Sequence, residues 1–385
     1  MEWLCRACFR WPSQGRVKIL LTCPDVNDYI LPCPSTRGAM ATIKDVAREA
    51  SVSIATVSRV FNGAAVVRQD TAQRIREVAA ALRYHPHGGA RSLITNRTHT
   101  LGVLLPDLYG EFFSELIQGI DLTARREGFH ILVSRSWEGR TEIEEAMRAM
   151  RGRVDGVLLM SPDINADSLL NFPPSLPVVL LCSPSKGPNA DSVIIENFRG
   201  AGGMVKHLTS LGHTRIAIIK GASGNYDAAE RLRGYRAALR EAGVAHDRAL
   251  ELDGDFTEAG GFAATIEILS VSPRPTAIFA ANDSMAIGAL SALRESGVRV
   301  PEDMAVAGFD DIPLARYMDP PLSSVRVPIA DLGARAVNTL LHAIAHKAEH
   351  TSRRERVSTE LVIRRSTGAP YAERPPPARR HGNPR

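Results

Sequence analysis

Seven residues, SIATVSR at 53–59, bring hydroxyls, a guanidinium and small apolar groups together at a spacing suited to reading nucleic acid. On a helix, about 100° per residue carries Val57, Val60 and Phe61 to the side of Ile54 and leaves Ala55, Ser58 and Arg59 nearly opposite. An arginine so placed can grip guanine O6 and N7 through two parallel hydrogen bonds, worth about 1–3 kcal/mol of discrimination. Ser53, Thr56 and Ser58 are of the type that more often meets phosphate oxygens. Ile54 and Ala55 offer apolar contact to a thymine methyl. Thr42, opening the preceding helix, and Asn62, closing this one, join them as DNA-binding candidates. A three-helix bundle that binds protein would bury the same face and is the alternative.

Other chemistry lacks its parts. Cys5-x-x-Cys8 with Cys23 and Cys33 offers thiolates for a tetrahedral zinc site, yet the later gaps of 14 and 9 residues match no common zinc ribbon. Residues 1–39 are therefore expected to be a disordered extension or the product of an upstream start, and neither metal nor cofactor is expected. With only Cys182 elsewhere, the body is not a disulfide scaffold. GxxxxGK[ST], GxSxG, HExxH and GxGxxG are all missing, and Gly200 to Gly203 open a helix where close packing is the reason for them. No catalytic residue is assigned, and the chain is read as no enzyme.

The elements around Arg59 form a small module over residues 40–85. Thr42 and Asp45 have capping-box-like spacing, and Ile43, Val46, Ala47 and Ala50 recur on one helix face. Ser51-Val52-Ser53 breaks that helix, Val52 as an apolar plug and Ser53 as the cap of the next. Asn62-Gly63 ends the second, and a third runs from about Gln69 to Arg83 with Ile75, Val78, Ala79 and Leu82 inward. Two short helices and a brace make a helix-turn-helix, whose second helix enters the major groove.

Charge follows the same division. The 385-residue chain is +5 overall, but residues 40–100 hold nine basic and four acidic side chains, whereas residues 101–351 hold 24 and 32. A basic module on an acidic body predicts that the module alone meets a polyanion. The basic end, residues 367–385, reads as a disordered tail. No apolar run reaches the roughly 18 residues of a membrane helix, and Val17 to Leu21 is too short for a signal peptide, so a cytoplasmic protein is expected.

ATIKDVAREASVSIATVSRVFNG, preceded by Met40 and followed by YHPHGGARSL, resembles the opening of the lactose/galactose-repressor family, and the likeness runs over residues 41–366. The resemblance implies a hinge at 86–98 that folds on DNA, with Leu93 as a wedge in the central base step. Gly88 and Gly89 depart from it where helix formers are usual, each costing up to about 1 kcal/mol relative to Ala.

Residues 99–366 alternate apolar runs with helical stretches: TLGVLLPD, FHILVS, VDGVLLMS, PVVLLC, then RIAIIKG, TAIFAAND, DMAVAGFDD and SSVRVP. This predicts α/β architecture with parallel sheets in two lobes, and a ligand at the carboxyl ends of the strands. The fold expected is thus multidomain: a small all-α headpiece plus a two-lobed domain similar to periplasmic binding proteins. By the same resemblance Phe112, Phe113 and Phe256 form aromatic walls, and Asn225, Asp227 and Arg231 are effector contacts. Asn282 and Asp310 at strand ends complete a polar set that suits a hydroxyl-rich ligand. Capping is the other role open to Asn282-Asp283 and to Asp310, and a surface ion pair to Arg231. Glu111 stands where Pro is common, and Val327 where Gln is. The function implied is a homodimeric repressor on a palindromic operator in double-stranded DNA, responding to a small-molecule effector, a carbohydrate in the first reading and a purine corepressor in the second. A solute-binding protein without DNA function is the rival, but it would need a signal peptide and have no use for residues 40–98.

Overall fold

The computed structural model describes residues 41–61, 67–84, 97–135, 140–161, 176–185, 191–346 and 349–368. The expectations for residues 1–40, Asn62, Gly88, Gly89, Leu93 and the tail beyond 368 fall outside them. The chain divides into two compact units, residues 1–86 and 87–385.

Among the described residues the first unit is three helices, α1 (Ile43–Glu49), α2 (Ile54–Phe61) and α3 (Gln69–Ala81). The Thr42 backbone N–H donates to the Asp45 carboxylate at 2.9 Å and its hydroxyl does so at 2.7 Å, which holds the Asp45 carboxyl below its ordinary pKa. Ser53 Oγ accepts from the Thr56 N–H at 3.2 Å, satisfying one orphan donor of α2. Val46, Val57 and Ile75 are fully buried at the centre, and Phe61 packs edge-to-face on Tyr84 with ring centroids 5.8 Å apart. Ser51 takes φ 51°, the left-handed turn that lets α1 stop and α2 begin.

The second unit holds two six-stranded sheets. The chain first lays down β1 (Thr100–Leu105), α4 (Glu111–Arg126), β2 (His130–Arg135), α5 (Arg140–Met150), β3 (Gly156–Met160), β4 (Val178–Leu181) and β5 (Asp191–Ile195). It crosses into the second lobe at Glu196 and builds α6 (Asn197–Ser210), β6 (Ile216–Ile219), α7 (Tyr226–Glu241), β7 (Glu251–Leu252), α8 (Glu258–Ser270), β8 (Ala277–Ala280), α9 (Asp283–Glu295), β9 (Ala305–Asp310) and β10 (Ser323–Arg326). Helix α10 (Ile329–Ala345) then returns to pack on α4, and β11 (Arg354–Val357) adds a parallel strand to β5. Finally β12 (Glu360–Val362) crosses back to pair with β10. The orders are β11-β5-β4-β3-β1-β2 and β12-β10-β9-β8-β6-β7. Three crossovers therefore join the lobes.

All eight strands expected from apolar runs are present. Two points are corrected. The sheets are not wholly parallel, because β12 runs antiparallel to β10. The folded chain also extends past residue 366, since Thr367 is buried and its hydroxyl lies 2.9 Å from that of Ser323. Close packing of α4 on α10 requires glycine: a Cβ at Gly119 would stand 2.1 Å from the Ala330 carbonyl oxygen.

Candidate functional site

Strand ends of the second lobe position the polar residues. Asp227 and Arg231 are four apart on α7, so they share a face one turn from each other. Arg231 Nε donates to Asn197 Oδ1 at 2.8 Å and a terminal nitrogen donates to the Ala281 carbonyl. The other terminal nitrogen lies 3.4 Å from Asp310 Oδ1, and the guanidinium stacks 3.8 Å above the Phe309 ring. Asn197 Nδ2 in turn donates to Asp227 Oδ1 at 2.7 Å. The Cys182 thiol, at the end of β4 in the first lobe, is hydrogen-bonded to Asp227. One guanidinium, one amide and two carboxylates thus form a single buried network at the junction of the lobes.

Burial outweighs the arginine at both acids. It pushes Asp227 up to about 6 against the opposing pull of Arg231 and Asn197. Asp310 is pushed up to about 7 by burial, with Arg231 opposing and Asp227 adding to the rise. Beyond its 3.4 Å ion pair with Arg231, buried Asp310 Oδ1 has no hydrogen-bond partner among the described residues. Such an acceptor is satisfied by a donor from a ligand or water.

Asp310 sits in an unusual backbone, with φ 107° followed by 55° at Asp311. Asp283, read from sequence only as a cap, holds that turn. Its Oδ1 accepts from Ser324 Oγ at 2.6 Å and its Oδ2 from the Ile312 N–H at 2.9 Å. Burial, reinforced by Asp310, drives its pKa well up. Gly308 is glycine because a Cβ there would lie 2.1 Å from Asp283 Oδ1. Asp311 points the other way, paired with Arg326 at 2.8 Å and Arg364 at 2.7 Å.

The remaining expected residues divide. Asn225 caps α7, its Oδ1 accepting from the Ala228 N–H at 3.0 Å. Asn282 caps α9 through the Met285 N–H at 3.0 Å and donates to the Phe256 carbonyl at 2.9 Å, so both its polar atoms are engaged by backbone. Phe256, at φ 69°, lays its ring on Gly221, where a Cβ would meet a ring atom at 2.1 Å. Phe112 and Phe113 open α4 in the other lobe, half-buried and edge-to-face at 5.5 Å. Val327 is buried and donates its N–H to the Asp310 carbonyl at 3.1 Å. Asn197 was not singled out from sequence. Its signal was its place just after DSVII, a strand unread there.

In the first unit α2 buries Val57 and Val60 and leaves Ile54 45% exposed. Ser53, Ala55 and Arg59 are also exposed, with Thr56 and Ser58 half-buried. Hydroxyls, small apolar groups and a guanidinium therefore share its outer side. No helix among the described residues is long and apolar enough to cross a membrane.

Comparison with known proteins matches residues 42–87 to "Bacterial regulatory proteins, lacI family" and residues 205–367 to "Periplasmic binding protein-like domain". The HTH-type transcriptional repressor PurR of Haemophilus influenzae (strain PittEE) is 36% identical over 334 residues, 85% of this chain and 98% of the relative. A ribose operon repressor of Haemophilus influenzae (strain ATCC 51907 / DSM 11121 / KW20 / Rd) is 35% identical over 81% of this chain and 94% of its own length. The structure of the Lac repressor dimer bound to operator and the anti-inducer ONPF is similar at 30% identity and a TM-score of 0.78, covering 85% of this chain and 99% of that one. With a relative of this identity matched over nearly its whole length, the chain belongs to the lacI family of bacterial regulatory proteins.

Proposed function

We propose that this chain is a transcriptional repressor that binds a near-palindromic operator as a homodimer and changes its operator affinity when a small neutral polyhydroxylated molecule, such as a sugar, enters between the lobes. The observation that carries the effector class is the balance at Arg231. Two buried carboxylates already face this one guanidinium. An anionic ligand would meet no uncompensated positive charge there, whereas a hydroxyl can donate to Asp310 Oδ1. Half-buried aromatic rings supply the apolar faces that a sugar ring stacks on.

Pairing of two headpieces follows from size: one α2 presents too few base contacts for tight specific binding, so two half-sites are read together. Arg59 is the side chain assigned to base readout, with Ser53, Thr56 and Ser58 on phosphates and Leu93 as the hinge wedge. A cytoplasmic location agrees with these roles. PurR as a relative supports a second reading, a purine corepressor that tightens operator binding instead of loosening it.

The test is a titration of the full chain on its selected operator with neutral aldoses, sugar acids and purine bases. A neutral aldose is expected to weaken operator binding, and the operator to weaken aldose binding by the same factor. Tightening by a purine would replace the sugar reading with the corepressor one. No coupling with any of them would remove the effector role from the cleft.

A further inference from the structure

One residue set apart in the sequence has no part in the network above. Glu111, where a proline is common, opens α4 of the first lobe. Its Oε2 accepts the backbone N–H of Leu314 at 2.9 Å, across 203 positions of sequence, from the short 3-10 turn Pro313–Tyr317 of the second lobe. One helical turn on, Glu115 has as its charged neighbours Glu111 of its own helix and Arg316 and Asp311 of the other lobe. Two successive turns of α4 therefore face the same segment.

That segment is stiff and continuous with the site. Ile312 is held by Asp283, Ala315 donates to the Ile312 carbonyl at 2.9 Å, and Leu322 donates to the Ala315 carbonyl at 2.9 Å. Leu314 stands four residues from Asp310. A pull on its N–H is passed to the Asp310 turn, not absorbed by a loose loop.

The contact is made directly across the lobes. Two of the three crossovers lie at the β5 and β11 edge of the first sheet, and the third runs from β10 into α10, which packs on α4. A hydrogen bond tolerates only a few tenths of an ångström of lengthening. Parting of α4 from the Pro313–Tyr317 turn therefore breaks it.

We propose that Glu111 is a positioning residue for the effector site, a clasp whose carboxylate on Leu314 sets how much of the population has closed lobes before any effector arrives. Apparent effector affinity scales with that fraction. This second step rests on the reading that the cleft holds an effector; closure itself does not.

Closure is read without ligand from the Cys182 thiol, which is fully buried against Asp227 of the opposite lobe. In the full chain, N-ethylmaleimide labelling of Cys182 is followed by peptide mass, which separates it from the four other cysteines. Glu111→Ala is expected to label about three to ten times faster than wild type. Glu111→Gln keeps an acceptor oxygen and is expected to restore most of the protection. The urea midpoint of the second unit, read on both variants, separates lobe opening from unfolding: faster labelling with an unchanged midpoint supports the clasp. Unchanged labelling in Glu111→Ala, or labelling that rises only in step with a fall in the midpoint, overturns it. D-ribose is the probe for the second step, with an expected three- to tenfold weaker Kd in Glu111→Ala, again recovered in Glu111→Gln. If wild type binds no D-ribose, that choice of effector fails while the labelling result still decides the clasp.

Discussion

Arg231 between Asp227 and Asp310 makes the site an acid-rich pocket that holds protons near neutral pH. An ordinary aspartate titrates at 3.8, whereas Asp227 and Asp310 are raised to about 6 and about 7. Because their folded values lie above the unfolded ones, their contribution to stability is full below about pH 4 and is lost as pH rises through about 6 to 7. Asp310→Asn removes one of these acids. The urea stability of wild type minus that of Asp310→Asn is expected to decline from pH 4 to pH 8; parallel curves would show that Asp310 is not the group titrating. At the headpiece, Arg59→Ala is expected to cost about 1–3 kcal/mol on the preferred operator and relax preference at one base pair per half-site. Equal weakening on every sequence would make Arg59 a phosphate contact instead.

Helix pairing is decided by groups smaller than a methyl. Gly119→Ala would drive a Cβ onto the Ala330 carbonyl and prise α10 from α4, at a cost of about 1–3 kcal/mol, measured as a lower urea midpoint of the second unit. The elements were legible wherever burial wrote a pattern. Val46, Val57 and Ile75 repeat at helical spacing, and GVLLM and IAII are apolar runs because both faces of those strands are covered. Three of the unread strands are those where burial wrote little. RERV and ELV are short, charged edge strands, and EL at β7 is two residues long. Missing DSVII as a strand hid Asn197, since a strand end is what marks a residue as a site candidate in this architecture. Asp283 looked like a helix cap because its partners, Ser324 and Ile312, come from distant sequence. Glu111 was visible as an oddity, but its partner Leu314 was not.

Charge divides the molecule as a whole. Residues 40–100 carry an excess of five positive charges and residues 101–351 an excess of eight negative ones, so that acidic stretch of the large unit repels the polyanion that the small unit binds. Operator affinity is therefore expected to fall steeply between 50 and 200 mM salt, by roughly 10³ or more for six or more phosphate contacts. Effector affinity, resting on buried and charge-balanced groups, should change less than twofold over the same range. A comparable fall in both would mean that the effector is itself an anion. The three crossovers between the lobes set a different limit, on how such a protein can be rearranged. The first unit is one continuous stretch of chain, and a single recombination junction can exchange it for another headpiece and so change the genes addressed. Neither lobe is continuous: β11 returns to the first sheet after the second is nearly complete, and β12 follows in the second. Exchanging one lobe alone needs three coordinated junctions. Operator choice can be acquired from a relative in one step, but effector choice has to change residue by residue within the cleft.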